Sequence, residues 1–186
     1  MTAVSRRRNG RRRLAAAVCL LLTTATIGGV PAYVRPQVDP LRPADAIVVL
    51  GGADWRRYPF GIELGLDGWA PTVVLSNPEG AENDWLTHVC ATPQKGIELD
   101  CIVPDPPTTR GEARELGRLA QQNGWRHLIV VTFTPHISRA RFILHRCFDG
   151  DLTMVSSPGD ISPPRWVFEY LYQTAGYLKA VLPPGC

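Results

Sequence analysis

Short aliphatic runs alternate with helical patterns from residue 44 onward, and this alternation limits the fold more than any other feature of the sequence. Continuous aliphatic strands suit a parallel sheet that is covered on both faces. Close alternation of such strands with helices predicts a three-layer α/β domain with a mostly parallel sheet. The predicted strands are residues 44–52 with their glycine turn, 72–77, 99–103 (an edge strand, because prolines follow), 127–131 and 152–155, and the predicted helices are residues 60–68, 83–90, 109–123, 135–148 and 164–181.

The N-terminal region combines positive charge with a long apolar run. Six arginines lie within residues 6–13, no acidic residue precedes Asp39, and residues 14–34 carry no charge. A positive flank before a hydrophobic core is the layout of an export signal, and positive flanks stay inside, so the rest of the chain should lie outside the cytoplasm. The run is long enough to cross a bilayer, which takes about 20 residues. We expect an uncleaved single-pass anchor in the cell membrane (residues 1–34), a linker (35–43) and a domain (44–186), with secretion after cleavage near Ala32 as the alternative.

The charge of the domain argues against nucleic acid as a partner. The formal net charge of the chain is +3, with 20 basic and 17 acidic residues. Without the six N-terminal arginines, 14 basic residues face 17 acidic ones, and the balance becomes −3. A mildly acidic domain lacks the basic footprint that binding to nucleic acid needs.

Four cysteines fall in the exported part of the chain. Cys19 lies in the apolar run and leaves Cys90, Cys101, Cys147 and Cys186, an even number in an oxidising compartment. Four cysteines allow three pairings. The local pair Cys90–Cys101 together with Cys147–Cys186 is our prediction. No Cys-x-x-Cys spacing occurs, so the sequence predicts no zinc site.

Polar motifs follow the predicted strands, where ligands bind in open α/β sheets. The Gly51–Gly52 turn lets a backbone approach a ligand closely, with Asp54 just beyond it, and Ser76 ends the second strand. The turn is not a dinucleotide fingerprint, and as a pure turn it needs no ligand. Three charged residues follow the turn, Asp54, Arg56 and Arg57. We expect one of them to reach the site and at least one of the two arginines to be exposed to solvent.

Residues 109–112 form a predicted capping box, with Thr109 as the N-cap and Glu112 three residues later. That structural role alone accounts for both side chains. Arg110 would then occupy the first helical position, where the helix dipole disfavours a cation. We interpret Arg110 as a residue kept there to bind an anion.

A second strand-to-helix turn runs from Thr132 to Arg141. Thr134 suits the N-cap and Pro135 the first helical position. His136 and Arg139 are three residues apart and share a helix face near the positive helix end, which would favour an anion. The alternative interpretation is an ordinary capped turn of an α/β fold.

These motifs, in this order, resemble the YdcF-like family of envelope proteins, also called the domain-of-unknown-function 218 family, which includes the SanA and ElyC proteins. Ile47 to Gly52 match the family's aliphatic strand and Gly-Gly turn. Ser76 matches the start of its Ser-Gly-Gly turn, and Thr109 with Glu112 matches its Asn-Thr-x-x-Glu box. Its last box, Val-Thr-Ser-x-x-His-x-x-Arg-Ala, is matched at Val131, Thr132, His136, Arg139 and Ala140, while Phe133 replaces the Ser.

The resemblance implies a Rossmann-like domain, usually attached to the membrane and associated with cell-envelope or peptidoglycan metabolism, without an established reaction. We therefore expect the site to bind or process a phosphorylated or otherwise anionic envelope metabolite, small or lipid-linked. In an enzyme, His136 would be the general acid–base and Glu112 would orient it or act as base, while Arg110 and Arg139 stabilise charge. In the alternative, the domain is a non-catalytic binding or scaffold module. The predicted ligand-binding residues are Gly51, Gly52, Asp54, Ser76, Thr109, Arg110, Thr132 and Arg139.

Overall fold

The domain is built on a five-stranded, all-parallel sheet with strand order β3-β2-β1-β4-β5. The computed structural model describes residues 2–52, 54–182 and 186, with side chains from residue 13 onward. The strands are β1 (Ala46–Val49), β2 (Thr72–Ser76), β3 (Glu98–Ile102), β4 (His127–Thr132) and β5 (Asp151–Ser156). The α-helices are α1 (Thr2–Gly29), α2 (Arg57–Leu66), α3 (Asp84–Ala91), α4 (Thr109–Asn123), α5 (Ile137–Leu144) and α6 (Pro163–Val181).

Helices cover both faces of this sheet, which confirms the predicted three-layer architecture. Alternate β1 residues point to opposite faces, so Val48 joins a core with α4 and α5 while Val49 joins one with α2 and α3. All four β1 residues are fully buried, as expected of a central strand. The predicted edge strand, β3, does lie at one edge, and its residues alternate between exposed and partly buried up to the buried Ile102.

The strand order reverses between β1 and β4. β1, β2 and β3 extend the sheet in one direction, and β4 and β5 extend it in the other, so the connections leaving β1 and β4 diverge to opposite sides. A crevice forms where such connections diverge, beyond the carboxyl ends of the strands. The Gly51–Gly52 turn and the segment after Thr132 therefore face each other across this point.

The bounds of α4 match the prediction, but its cap does not. Thr108, rather than Thr109, has the extended N-cap conformation, and its Oγ1 accepts a hydrogen bond from the Gly111 amide at 3.3 Å. The predicted capping box is therefore wrong. Glu112 does not complete one, because its carboxylate accepts from the Gly51 amide. Arg110 becomes the second helical residue.

The helix predicted at residues 135–148 is shorter than expected. Residues Thr134–His136 form one 3₁₀ turn, and α5 begins only at Ile137. Thr134 does not cap this helix, because its hydroxyl is 2.7 Å from the Ser156 hydroxyl at the end of β5. The long-range partner of Thr134 was not visible in the sequence pattern.

Two glycines that weaken the helical pattern of α2 are explained by packing. A Cβ on Gly61 would overlap the side chain of Val49, and one on Gly65 would overlap that of Val73. Their absence lets α2 lie close to the sheet, and tertiary packing outweighs the poor helix propensity of glycine.

The N-terminal helix continues into a π-helical turn, Val30–Val34. Its segment Arg13–Val34 has 22 residues, a mean hydropathy of 1.8 and only 6% of its apolar window buried. This segment is long and apolar enough to cross a membrane, and a signal sequence near an N-terminus has the same properties.

Both predicted disulfides are present. Cys90–Cys101 ties α3 to the edge strand β3, and Cys147–Cys186 ties residue 186 to the turn after α5. Cys19, in the apolar helix, is free and exposed. Paired cysteines of this kind are typical of proteins folded outside the reducing cytoplasm.

Candidate functional site

A cluster of buried polar side chains lies beyond the carboxyl ends of β1, β2 and β4. Seven of the predicted site residues take part in it, from the turn after β1, the end of β2, the start of α4, the end of β4 and the start of α5. They are Gly51, Ser76, Thr109, Glu112, Thr132, His136 and Arg139.

His136 is held in the cluster by two threonines. Its Nδ1 is 3.0 Å from the Thr132 hydroxyl and its Nε2 is 3.3 Å from the Thr109 hydroxyl, and only 4% of the residue is exposed. Burial lowers the pKa of His136 well below its ordinary value, and the positive charges of Arg139 and Arg57 lower it further. The ring is therefore neutral near neutral pH, with one nitrogen able to donate a hydrogen bond and the other able to accept one.

Glu112 reaches across the crevice to the glycine turn. Its Oε1 accepts a hydrogen bond from the Gly51 amide at 2.6 Å, and the residue is 3% exposed. Burial raises the pKa of Glu112, against the opposing effects of Ser76, the Gly51 amide and the two nearby arginines. The amide that we expected to face a ligand thus donates to a carboxylate of the protein itself.

Arg57 is the residue that the sequence pattern left undecided. It is 1% exposed and donates to the carbonyl oxygens of Leu50 and Gly51 at 3.2 and 2.9 Å. Its guanidinium also lies over the ring of Phe133, 5.1 Å from the centroid. Burial lowers the pKa of Arg57, but an arginine remains charged. Of the three charged residues after the turn, Arg57 is therefore the one that reaches the site, where its hydrogen bonds hold the backbone of the glycine turn.

Arg139 is the second buried cation, 9% exposed. Its Nε donates to Gln173 Oε1 at 2.7 Å, and Gln173 in turn donates to Glu169 at 2.9 Å. Its guanidinium lies 5.7 Å from the centre of the Tyr172 ring. Within the described part of the chain, no hydrogen bond fixes its two terminal nitrogens. These two nitrogens are the ones that can bind an anion through a pair of hydrogen bonds, and no described residue occupies them.

Three predicted residues lie apart from this cluster or at its rim. Arg110 donates to the Ala180 carbonyl near the end of α6 at 3.3 Å. Asp54 pairs with Arg56 at 3.0 Å, with the Arg56 side chain about half exposed. Gly52 has a positive φ of 139° and lies over the Arg57 guanidinium, so a side chain there would be strained. The roles of these residues as ligand contacts stay predictions.

Two buried polar atoms at the end of β2 have no hydrogen-bond partner among the described residues, Ser76 Oγ and Asn77 Oδ1. The Ser76 hydroxyl is near enough to Glu112 to lower the pKa of that carboxyl, but not in the geometry of a hydrogen bond. An unpaired buried polar atom costs about 1–3 kcal/mol, so such atoms usually meet water or a ligand. The position of the Ser76 hydroxyl beside Glu112 marks this end of the crevice as a place for a water or a ligand.

A cleft of about 350 Å³ opens beside the glycine turn, at Gly52, and sequence reasoning missed it. Tyr58 forms part of its wall and donates to the Ser76 carbonyl at 3.1 Å, and burial raises the pKa of this hydroxyl to about 12. The sequence feature that could have indicated this cleft is a pair of tryptophans, Trp55 after β1 and Trp85 after β2. The lining residues are Gly52, Trp55, Tyr58, Pro78, Glu79, Asn83 and Trp85.

Comparison with known proteins adds no family assignment. No protein-family model matches the chain, and no curated protein matches it. The resemblance to YdcF-like proteins therefore stays a prediction from the motif residues. Among the described residues, no three His, Cys, Asp or Glu side chains lie close enough together to hold a metal ion.

Proposed function

We propose that the crevice binds the phosphate or pyrophosphate group of an anionic envelope metabolite, in a membrane-anchored protein of the YdcF-like type. The observation that carries this proposal is the buried charge. Arg57 and Arg139 are both at least nine-tenths buried, and the carboxylate that both of them approach, Glu112, has a raised pKa. The other buried carboxylate near the two arginines, Glu169, is paired with Arg165, so the crevice keeps excess positive charge, which an anionic ligand would stabilise.

Arg139 is the main ligand contact in this proposal. Its unpaired terminal nitrogens have the fork geometry that phosphate oxygens accept. Arg57 donates to backbone carbonyls and contributes through its charge. The Ser76 hydroxyl can donate to the same anion, which would satisfy its unmet hydrogen bond.

His136 and Glu112 are the proposed catalytic pair if the ligand is also converted. A bound anion offsets the two arginine charges that hold the pKa of His136 down, so it brings the ring closer to a protonated state. Glu112, beside the ligand, could take up or return a proton because burial raises its pKa. In this proposal, His136 becomes able to carry a proton only after the anion has bound.

The proposed location is the outer face of the cell membrane. The arginine-rich flank and the apolar segment Arg13–Val34 support an anchor with the domain outside. The two disulfides support an oxidising compartment. An envelope metabolite, free or lipid-linked, is the anion that such a location offers.

One observation favours the alternative of a non-catalytic binding module. Both ring nitrogens of His136 already have hydroxyl partners, in an almost fully buried position. A histidine so fixed orients its neighbours well, but it must lose a partner before it can move a proton. In this second candidate function, His136 only shapes the pocket around Arg139.

Ligand identification tests the proposal. Full-length protein, purified in detergent, is analysed by native mass spectrometry beside Arg139→Ala and, as a matched control, Arg42→Ala, whose arginine pairs with Asp151 at the opposite end of the sheet. We expect a phosphate-bearing adduct on the wild type and Arg42→Ala but not on Arg139→Ala. An adduct without phosphate, or equal adducts on all three, would contradict the proposal.

Turnover separates the enzyme from the binding module. Farnesyl pyrophosphate serves as a soluble probe, and release of phosphate is measured. His136→Gln should bind the probe and lose turnover if His136 carries a proton. If the wild type binds the probe and leaves it intact, the binding module is the better description.

A further inference from the structure

The outer face of α6 is apolar and uncovered. The residues of this face lie on one side of the helix, three or four positions apart at each end and two turns apart between Leu171 and Leu178. Between 50% and 81% of each of these side chains is exposed, whereas the apolar face of a surface helix is normally buried against the core. They are Val167, Phe168, Leu171, Leu178, Val181 and Leu182. Contiguous exposed apolar surface of this kind marks an interaction site.

The charges of α6 suit a negatively charged surface. Its one acidic residue, Glu169, is 1% exposed and faces the domain, where it binds Arg165 and Gln173. The other two charged residues, Arg165 and Lys179, are exposed at the edge of the outer face. A helix with apolar residues on one side and cations at its border is typical of helices that lie in the plane of a membrane with anionic lipids.

The outer face continues from the end of the apolar N-terminal helix. The rings of Tyr33 and Tyr170 are 5.1 Å apart, and the Tyr33 hydroxyl is 3.0 Å from that of Thr174. The Tyr170 hydroxyl donates to the Thr26 carbonyl of α1 at 3.2 Å. Tyrosines are enriched at membrane–water interfaces, where one end of the ring is apolar and the hydroxyl is wet. These contacts fix α6 beside the point where an anchored α1 leaves the bilayer.

We infer that α6 lies on the outer surface of the bilayer, with its outer face in the lipid and Arg165 and Lys179 at the headgroups. This inference rests on the membrane anchor of the proposed function. The occupant is lipid because the face is continuous with the apolar N-terminal helix and because the two exposed charged residues of α6, Arg165 and Lys179, are both cations. A second copy of the chain would present the same cations to each other across a two-fold interface.

The docked helix also brings the crevice to the membrane surface. The buried side of α6 supplies Gln173, which fixes the Nε of Arg139, while Tyr172, next to Leu171 of the outer face, lies over the Arg139 guanidinium. Arg139 thus lies behind α6, on the side away from the lipid, one helix diameter (~10 Å) from the outer face.

Photocross-linking of the full chain in vesicles tests this inference. Leu171 and Leu178 are replaced, one at a time, by benzoylphenylalanine, and the protein is reconstituted in vesicles of phosphatidylcholine and phosphatidylglycerol. Leu66, also an exposed leucine but at the end of α2, is the matched control position. We expect lipid adducts at 171 and 178 and none at 66, with melting temperatures like that of the wild type.

The outcomes separate this inference from the proposed function. If the protein pellets with the vesicles after alkaline extraction but neither position in α6 gives a lipid adduct, the anchor stands and the docking of α6 is wrong. Cross-links to a second copy of the chain in place of lipid would also overturn it. Neither result depends on whether the crevice binds an anion.

Discussion

The state of His136 shows how its surroundings decide the chemistry of a single residue. The sequence identifies a histidine one turn before an arginine, and its ordinary pKa near 6.5 would suit proton transfer. Burial and two arginine charges instead lower that pKa and keep the ring neutral. The residue is thus a neutral hydrogen-bonding group in the free protein near neutral pH.

This lowered pKa predicts a specific loss of stability in acid. The unfolded chain takes up the His136 proton below about pH 6.5, while the folded chain takes it up only at a lower pH, so the free energy of unfolding falls between these two values as the pH falls. The slope approaches ~1.4 kcal/mol per pH unit. Urea unfolding as a function of pH should show this slope in the wild type and not in His136→Gln.

His88, an exposed histidine on α3, provides the matched control. His88→Gln should keep the acid slope of the wild type. Glu112 has a raised pKa and contributes a slope of opposite sign above its ordinary pKa, but it is present in all three proteins and cancels in their difference. Parallel curves for the wild type and His136→Gln would show that His136 is not held neutral.

At the scale of elements, the start of α4 shows where a local pattern fails. Two consecutive threonines precede this helix, and a capping-box pattern selects Thr109 because Glu112 follows three residues later. In the structure, Glu112 bonds to the Gly51 amide across the sheet edge, and Thr108 caps. The pair is divided between two tasks, since Thr108 ends the loop and Thr109 bonds to His136.

This division of roles can be tested by substitution. Thr108→Ala should lower the free energy of unfolding by about 1 kcal/mol through loss of the cap, and Thr108→Ser should restore most of it. Chemical denaturation measures both. For comparison, Thr109→Ala should leave the cap in place and alter the acid slope through His136. If Thr108→Ala and Thr108→Ser unfold like the wild type, Thr108 is not the cap.

The elements predicted from sequence are mostly right where burial dictates them. Aliphatic runs such as 127–131 suit central strands of a covered sheet, and α4 has a single apolar stripe, so the predicted bounds of both agree with the structure to within one residue. The predicted start of α5 is wrong because Thr134 bonds to Ser156, which is distant in sequence. The sequence does not single out Arg57 or reveal the aromatic cleft, because each depends on which loops the sheet brings together.

At the scale of the whole molecule, three features bear on where the protein is located in the cell: the paired cysteines, the apolar N-terminal helix and the outer face of α6. We predict that a reporter fused after Cys186 is active outside the cytoplasm and that the protein stays in the membrane pellet. The positive flank and the apolar segment Arg13–Val34 are the physical reason. Fractionation and N-terminal sequencing check this, and a shorter soluble form starting near Tyr33 would show cleavage instead.

In the proposed function, Arg139 binds an anion at the carboxyl edge of the sheet. Isothermal titration of inorganic pyrophosphate into the full-length protein measures this binding. Arg139→Ala should weaken binding about ten- to a hundred-fold, because a charge-assisted contact contributes about 1.5–3 kcal/mol. Arg139→Lys should recover only part, because an ammonium lacks the bidentate fork, and Arg42→Ala should bind like the wild type. If Arg139→Ala binds pyrophosphate normally while melting far earlier, Arg139 is a structural residue and the claim is wrong.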